Sequence, residues 1–215
     1  GVRWAPSLLE DVQGFLPQCR ALVLGPGIGR DPETAAFVQA LLACPSRPFA
    51  VVDADALHAL AVRPEALSSL RACDVLTPHP GEAATLLHTT PARVQADRFE
   101  ALAGLQRLAP SVWVLKGAGT LIGTEGRPMT LAPYAEPNLA VGGSGDVLAG
   151  MIAALLGQKH LNGPGVSVPE TAALAVWLHG KAGDRCAEQY GEYAMLPSDL
   201  IEMLPQVLKE SEERN

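Results

Sequence analysis

The chain has 215 residues, 48% hydrophobic and 18% charged, with 23 acidic against 16 basic side chains and a formal net charge of −7. That composition can bury a substantial core, which excludes wholesale disorder, and at about 150 residues per domain it suggests one α/β-sized domain over residues 1–215. So few basic residues make no cationic field for nucleic acid, and no apolar run reaches the ~20 residues that cross a bilayer; neither partner is expected, and a cytoplasmic location is.

Short β-branched runs alternate with Ala/Leu-rich stretches, the pattern of parallel strands joined by crossover helices. Strands are expected at 21–24, 49–53, 74–77 and 112–116, followed by a hairpin-like pair at 120–123 and 128–131. The early ones are continuous apolar runs, which suits strands covered on both faces. Asp31 before Pro32, Thr90 before Pro91, and Ser167 three residues ahead of Glu170 are helix-start signals, and predict helices over 32–43, 91–109 and 169–190. A further helix over 144–157 opens from a glycine cluster and ends at Gly157; a last one, 198–209, runs into a charged tail expected to fray. The Gly- and Asn-rich stretch 158–168 is short enough to join two elements of one domain. Cys19, Cys44, Cys73 and Cys186 are scattered without CxxC spacing and read as reduced structural thiols, with no disulfide frame or zinc site.

The strand ends carry the chemistry. Gly25-Pro26-Gly27-Ile28-Gly29 follows the first strand, at the edge where open α/β sheets bind ligands; its spacing is not GxGxxG, and a tight structural turn is the plainer alternative. Asp53 closes a buried strand, where an unpaired carboxylate is costly, so it reads as a metal or substrate contact, with helix capping by the neighbouring Asp55 as the alternative. In Thr77-Pro78-His79-Pro80-Gly81-Glu82 the two prolines stiffen the loop that holds His79, and Glu82 either positions a Mg²⁺-bound water or sits in the first turn of a short helix. Lys116-Gly117-Ala118-Gly119-Thr120 sets a cation beside two glycines: a phosphate or carboxylate partner with backbone open to a nucleotide, or a hairpin with a solvated lysine.

The most informative segment is 138–146, Asn-Leu-Ala-Val-Gly-Gly-Ser-Gly-Asp, entering the apolar helix directly. Glycines admit a ligand to the backbone, and the free N–H groups of a helix start attract an anion. Asp146 suits the dipole but repels a phosphate lying against it, a conflict resolved if it faces a second substrate whose hydroxyl proton it handles. An ordinary glycine turn is the other reading. A GxSxG elbow would need glycine at Asp146, and no Walker sequence occurs. His58, His88, His160 and His179 fall on helical stretches where packing or surface roles are expected. Five strand ends bearing glycine or ionisable residues are expected to meet at the carboxyl edge of one sheet.

Taken in order, GPGIGRD (25–31), VVDADAL (51–57), TPHPGEAATLL (77–87), KGAGT (116–120), NLAVGGSGDVLAGMIAALL (138–156) and HGKAGD (179–184) resemble the ADP-dependent NAD(P)H-hydrate dehydratases, ribokinase-like enzymes found alone or fused behind an epimerase domain. The resemblance implies a mostly parallel sheet with helices on both faces. It implies a repair lyase that uses ADP and Mg²⁺ to remove water from the 6S hydrate of NADH or NADPH, by phosphorylating the hydrate hydroxyl and then eliminating phosphate. By the same likeness Asp146 is the catalytic residue and touches the hydrate. Lys116, Gly117, Ala118, Gly119, Thr120, Gly143, Ser144 and Gly145 form the nucleotide site; Gly27, Gly29, His79 and Asp53 are substrate contacts; Glu82 organises Mg²⁺, directly or through water. A homo-oligomer, a tetramer in the family, is expected. An additional βα region that precedes the segment matching residues 1–20 in the family has no counterpart here. Two rivals stay open at this point: an ATP-dependent kinase for a small alcohol, and a nucleotide-binding module without turnover.

Overall fold

The computed structural model describes residues 4–134, 137–158 and 166–212. A short helix α1 (Leu9–Gln13) leads into β1 (Ala21–Leu24), after which helices and strands alternate: α2 (Pro32–Leu42), β2 (Phe49–Val52), α3 (Asp55–Val62), β3 (Val75–Leu76), α4 (Pro80–Leu86), α5 (Pro91–Ala96), α6 (Arg98–Gln106) and β4 (Val112–Leu115). The hairpin β5 (Leu121–Gly123) and β6 (Thr130–Leu131) follows, then α7 (Ser144–Gln158), α8 (Val168–Tyr190) and α9 (Pro197–Glu212). β1 has the limits its sequence suggests, and the other strands stop one or two residues short of theirs.

The sheet order is β1-β2-β3-β4-β5-β6. β1 to β4 pair in parallel, and β5 and β6 are antiparallel. Successive strand residues point to opposite faces, and both faces are dry. Leu24, Val52, Leu76, Trp113 and Leu115 pack with Phe37, Leu57, Leu60, Leu102 and Leu105 from α2, α3 and α6. Val51, Val75, Val112, Val114 and Ile122 pack with Leu148, Ile152, Val176 and Leu200 from α7, α8 and α9. That two-sided burial is why the parallel strands read as unbroken apolar runs, and it leaves the carboxyl ends of β1 to β4 along one edge.

Three expectations are corrected. The stretch 91–109 is two helices, because Asp97 leaves helical geometry (φ −144°, ψ 90°), ends α5, and caps α6 by accepting the Glu100 N–H at 2.9 Å. A helix present in the sequence reading only through the alternative of capping by Asp55, α3 enters through Ala54 at φ 49°; Asp55 does not cap it but stands in its first turn, accepting from Gly29 N at 3.0 Å and Arg30 Nε at 2.7 Å. α9 runs past Pro205 to Glu212 rather than fraying from Lys209, while 213–215 lie outside the described residues. The capping box of Ser167 and Glu170 forms as its spacing suggests. All four cysteines are free; Cys44 and Cys186 are buried, Cys73 is half-buried and Cys19 is exposed.

Candidate active site

A cavity of about 610 Å³ opens at the carboxyl edge of the sheet, between the ends of β2, β3 and β4 and the first turn of α7. The four parallel strand ends behave as expected, but the fifth segment is not one: 138–146 reaches α7 through a 3-10 turn, Pro137–Ala140. Its glycines are needed for close approach. Gly143 has φ 96°, and a Cβ there would lie 2.9 Å from Pro197 on α9; a Cβ on Gly145 would meet Lys116 Nζ at 3.2 Å. The helix start is therefore held against α9 on one side and against a cation on the other.

That cation belongs to a compact charged cluster. Asp53, only 1% exposed, accepts from Lys116 Nζ at 2.7 Å, and Glu82 Oε2 lies 4.0 Å from the same ammonium. Asp53, read from the sequence as a metal or substrate contact because it would be costly unpaired, has Lys116 as its partner, and the lysine is not solvated but 17% exposed. Glu82 Oε2 also accepts the His79 backbone N–H at 2.8 Å, while His79 Nδ1 accepts from Gly81 N at 2.9 Å and Glu82 N at 3.3 Å. An imidazole nitrogen that accepts two amides carries no proton, so the neutral His79 ring has its N–H on Nε2, on a side chain 55% exposed. His79 caps α4 and lines the cavity, with its Nε2 3.5 Å from Glu82 Oε1.

Asp146 lines the same cavity from the first turn of α7; it is exposed and has no hydrogen bond or ion pair among the described residues. Beside it, Ser144 is bound to a residue that sequence reasoning assigned to packing. His179 on α8 is 7% exposed and lines the cavity, its Nε2 3.0 Å from Ser144 O and 3.1 Å from Ser144 Oγ. A carbonyl only accepts, so Nε2 carries the proton. Burial, offset in part by the hydrogen bond to Ser144 and assisted by the Lys116 charge, lowers the His179 pKa to about 4 and keeps the ring neutral. The available signal was the helical pair Gly180 and Gly183: a Cβ at the first would fall 2.3 Å from the Tyr134 ring and at the second 2.9 Å from Leu139. Glycines three apart on a helix mark where the site-bearing segment presses onto it. Of the other histidines, His58 is half-buried on α3, His88 stands beyond α4 at φ 51°, and His160 lies outside the described residues.

Asp53, His79, Glu82, Lys116, Gly117, Ala118, Thr120, Gly143, Ser144, Gly145 and Asp146 are brought together on this one cavity. Gly27, Gly29 and Gly119 are not on its wall. Gly25 at φ 133° lets the first loop touch Asp53 O, where a Cβ would come within 1.7 Å, and Gly29 N–H is held by Asp55. The glycines of 116–120 also serve the protein: a Cβ at Gly117 would meet Arg98 Nη1 at 3.0 Å, and one at Gly119 would meet Leu131 at 3.1 Å.

A family model described as NAD(P)H-hydrate dehydratase matches residues 7–206. The chain belongs to the NAD(P)H-hydrate dehydratase family. It is 46% identical over 205 residues to the bifunctional NAD(P)H-hydrate repair enzyme Nnr of Moorella thermoacetica, covering 95% of this chain and 37% of that protein. It is 39% identical over 191 residues to the ADP-dependent (S)-NAD(P)H-hydrate dehydratase of Neisseria meningitidis, covering 86% of this chain and 62% of that one. The ADP/ATP-dependent NAD(P)H-hydrate dehydratase of Bacillus subtilis, co-crystallised with ATP/Mg²⁺ and soaked with CoA, superposes with a TM-score of 0.74 at 28% identity, over 89% of this chain and 66% of that chain. The fold is the ribokinase-like one implied by the motifs. The chain spans 37% of one sequence relative's length and 62% of the other's, under two thirds of each.

Proposed function

We propose that this chain carries out ADP-dependent dehydration of the 6S hydrate of NADH or NADPH. The observation that carries the proposal is the pairing, on one cavity, of an unpartnered acid, Asp146, with the glycine-rich start of α7 and the Lys116 ammonium. The names of the Moorella and Neisseria relatives support the substrate and the nucleotide.

In this reading the amides of the first turn of α7 and Lys116 stabilise the terminal phosphoryl group of ADP, since phosphoryl transfer asks mainly for positioning and charge. Asp146 takes the proton of the hydrate hydroxyl as its oxygen bonds to the terminal phosphorus, and AMP leaves. Phosphate then departs with the ring C–O bonding pair as the ring gives up a proton and regains its double bond. His79, on the cavity wall with its Nε2 3.5 Å from Glu82 Oε1, is a contact for the bound hydrate. Asp53 and Glu82 keep Lys116 at the helix start. His179 holds Ser144, and with it the turn that presents Asp146. Gly27 and Gly29 belong to the hydrate side of the proposal, beyond the cavity wall.

Among the described residues no three His, Cys, Asp or Glu side chains group as a metal site. Glu82 alone suits a Mg²⁺ that arrives with the nucleotide, because such ions keep phosphate and water ligands and need only one or two carboxylates. Bound there, Mg²⁺ would neutralise phosphate charge, with Glu82 holding it through water. A cytoplasmic location and a homo-oligomeric, tetrameric assembly complete the proposal; no described helix is long and apolar enough to cross a membrane.

The test mixes the protein with hydrate, Mg²⁺ and either ADP or ATP and follows nicotinamide absorbance together with free phosphate. Recovery of absorbance matched by phosphate release supports the reading. A phosphorylated product that persists would replace it with an alcohol kinase, and nucleotide binding without any loss of hydrate would replace it with a binding module.

A further inference from the structure

We propose that Arg98 is a positioning residue for nucleotide binding: it sets the peptide orientation of the 116–120 loop so that two backbone N–H groups face the cavity. The inference rests on the proposed nucleotide site.

Arg98 begins α6 and is not among the residues on the cavity wall. Its Nη2 shares two hydrogens among three carbonyls, Leu115 O at the end of β4 at 3.0 Å and, in the loop, Lys116 O at 3.4 Å and Gly119 O at 3.3 Å, and its Nη1 is steadied by Gln95 Oε1 at 2.8 Å. Burial lowers its pKa from the usual guanidinium range, and the group stays charged regardless. All described peptide bonds are trans. In a planar trans peptide the C=O of one residue and the N–H of the next point in opposite directions. Turning the Lys116 and Gly119 carbonyls onto Arg98 therefore turns the N–H groups of Gly117 and Thr120 away from it. Gly117 and Thr120 both line the cavity, and neither N–H has a hydrogen-bond partner among the described residues.

Two other loop amides are fastened elsewhere. Lys116 N–H donates to Pro78 O at 2.9 Å and Gly119 N–H to Tyr134 O at 2.9 Å. Three loop amides are left over, those of Gly117, Ala118 and Thr120; Arg98 aims the first and the last, and all three are donors suited to a phosphate, ribose or base acceptor of an adenine nucleotide. Glycine suits position 117 because its φ of 138° is strained for any residue with a side chain, and a Cβ there would press on Arg98 Nη1 at 3.0 Å. A lysine at 98 would bring one compact ammonium where Nη2 now serves the three carbonyls while Nη1 is tied to Gln95.

The test compares wild type with Arg98→Ala, Arg98→Met and Arg98→Lys, reading ADP affinity by calorimetry, kcat at saturating ADP, and KM for hydrate. Arg98→Ala and Arg98→Met are expected to raise the ADP Kd about tenfold or more, as loss of a charge-assisted donor set does. kcat at saturating ADP and hydrate KM should stay within about twofold of wild type on the same grounds. Arg98→Lys should recover only part of the affinity, and low millimolar guanidinium should restore ADP binding to Arg98→Ala while leaving wild type unchanged. Unaltered ADP affinity in the Ala and Met variants would overturn the inference, as would general unfolding of both, which would make Arg98 a structural residue only. Wild type that fails to bind ADP would instead bring down the nucleotide-site reading on which the inference stands.

Discussion

His179 converts acidity into instability, by an amount that follows from its surroundings. Its Nε2–H is donated to Ser144 O at 3.0 Å inside a site that leaves it 7% exposed, and its pKa is lowered from 6.5 to about 4. As pH falls through 6.5 the unfolded chain takes up a proton at this ring, while the folded chain does so only near 4. The unfolded state thus binds more protons over that window. The stability contributed by the neutral ring is whole above 6.5 and is lost progressively toward pH 4, by about 3 kcal/mol in all. Between pH 7 and pH 5 the loss is about 2 kcal/mol by the same linkage. His179→Gln keeps an N–H donor within reach of Ser144 O and removes the titration. Urea unfolding of both proteins at the two pH values isolates the effect, because carboxylates titrating elsewhere are common to both. The variant should lose about 2 kcal/mol less than wild type on acidification. Equal losses in the two proteins would refute the claim that this buried ring stays neutral.

Lys116→Met leaves the Asp53 carboxylate, 1% exposed, without its partner at 2.7 Å, and should destabilise by about 3 kcal/mol. Adding Asp53→Asn should return much of that loss in the same urea assay, and non-recovery would show that the two charges are not energetically coupled. Gly25→Ala places a Cβ about 1.7 Å from Asp53 O on a backbone at φ 133°, and should prevent stable folding, seen as a lost cooperative transition; a well-folded variant would contradict the described turn.

The sequence carried the framework because burial on two faces writes itself as unbroken apolar runs, and Val51 and Val52 serve opposite cores within one such run. Helix starts were readable at Thr90 and Ser167, whose side chains cap, and at Asp31, which holds the N-cap position before Pro32 without a side-chain hydrogen bond. Asp97 caps as Thr90 and Ser167 do, yet it sits inside a stretch whose apolar spacing continues across the break, and periodicity hid it. α3 was legible only as an alternative because it begins at Ala54, a residue with no capping side chain, in positive φ.

Side-chain partners across the sheet edge were beyond local reading. Nothing near Asp53 in the chain announces Lys116, 63 residues away, and nothing near Ser144 announces His179, 35 residues away. Glycine, similarly, says that a side chain is excluded without saying by what. At Gly117 the excluding neighbour is Arg98, and at Gly180 it is Tyr134, both parts of the protein itself.

The account turns on Asp146, exposed and unpartnered at the start of α7, as the group that receives the hydroxyl proton. The most direct measurement is turnover of hydrate with ADP and Mg²⁺ by Asp146→Asn, read beside the calorimetric ADP Kd of the same preparation. Loss of a general base should lower kcat about 100-fold or more, with the ADP Kd unchanged or slightly improved by removal of a repelling charge. An Asn variant that turns over at the wild-type rate, or one whose activity falls only in step with lost ADP binding, would contradict it.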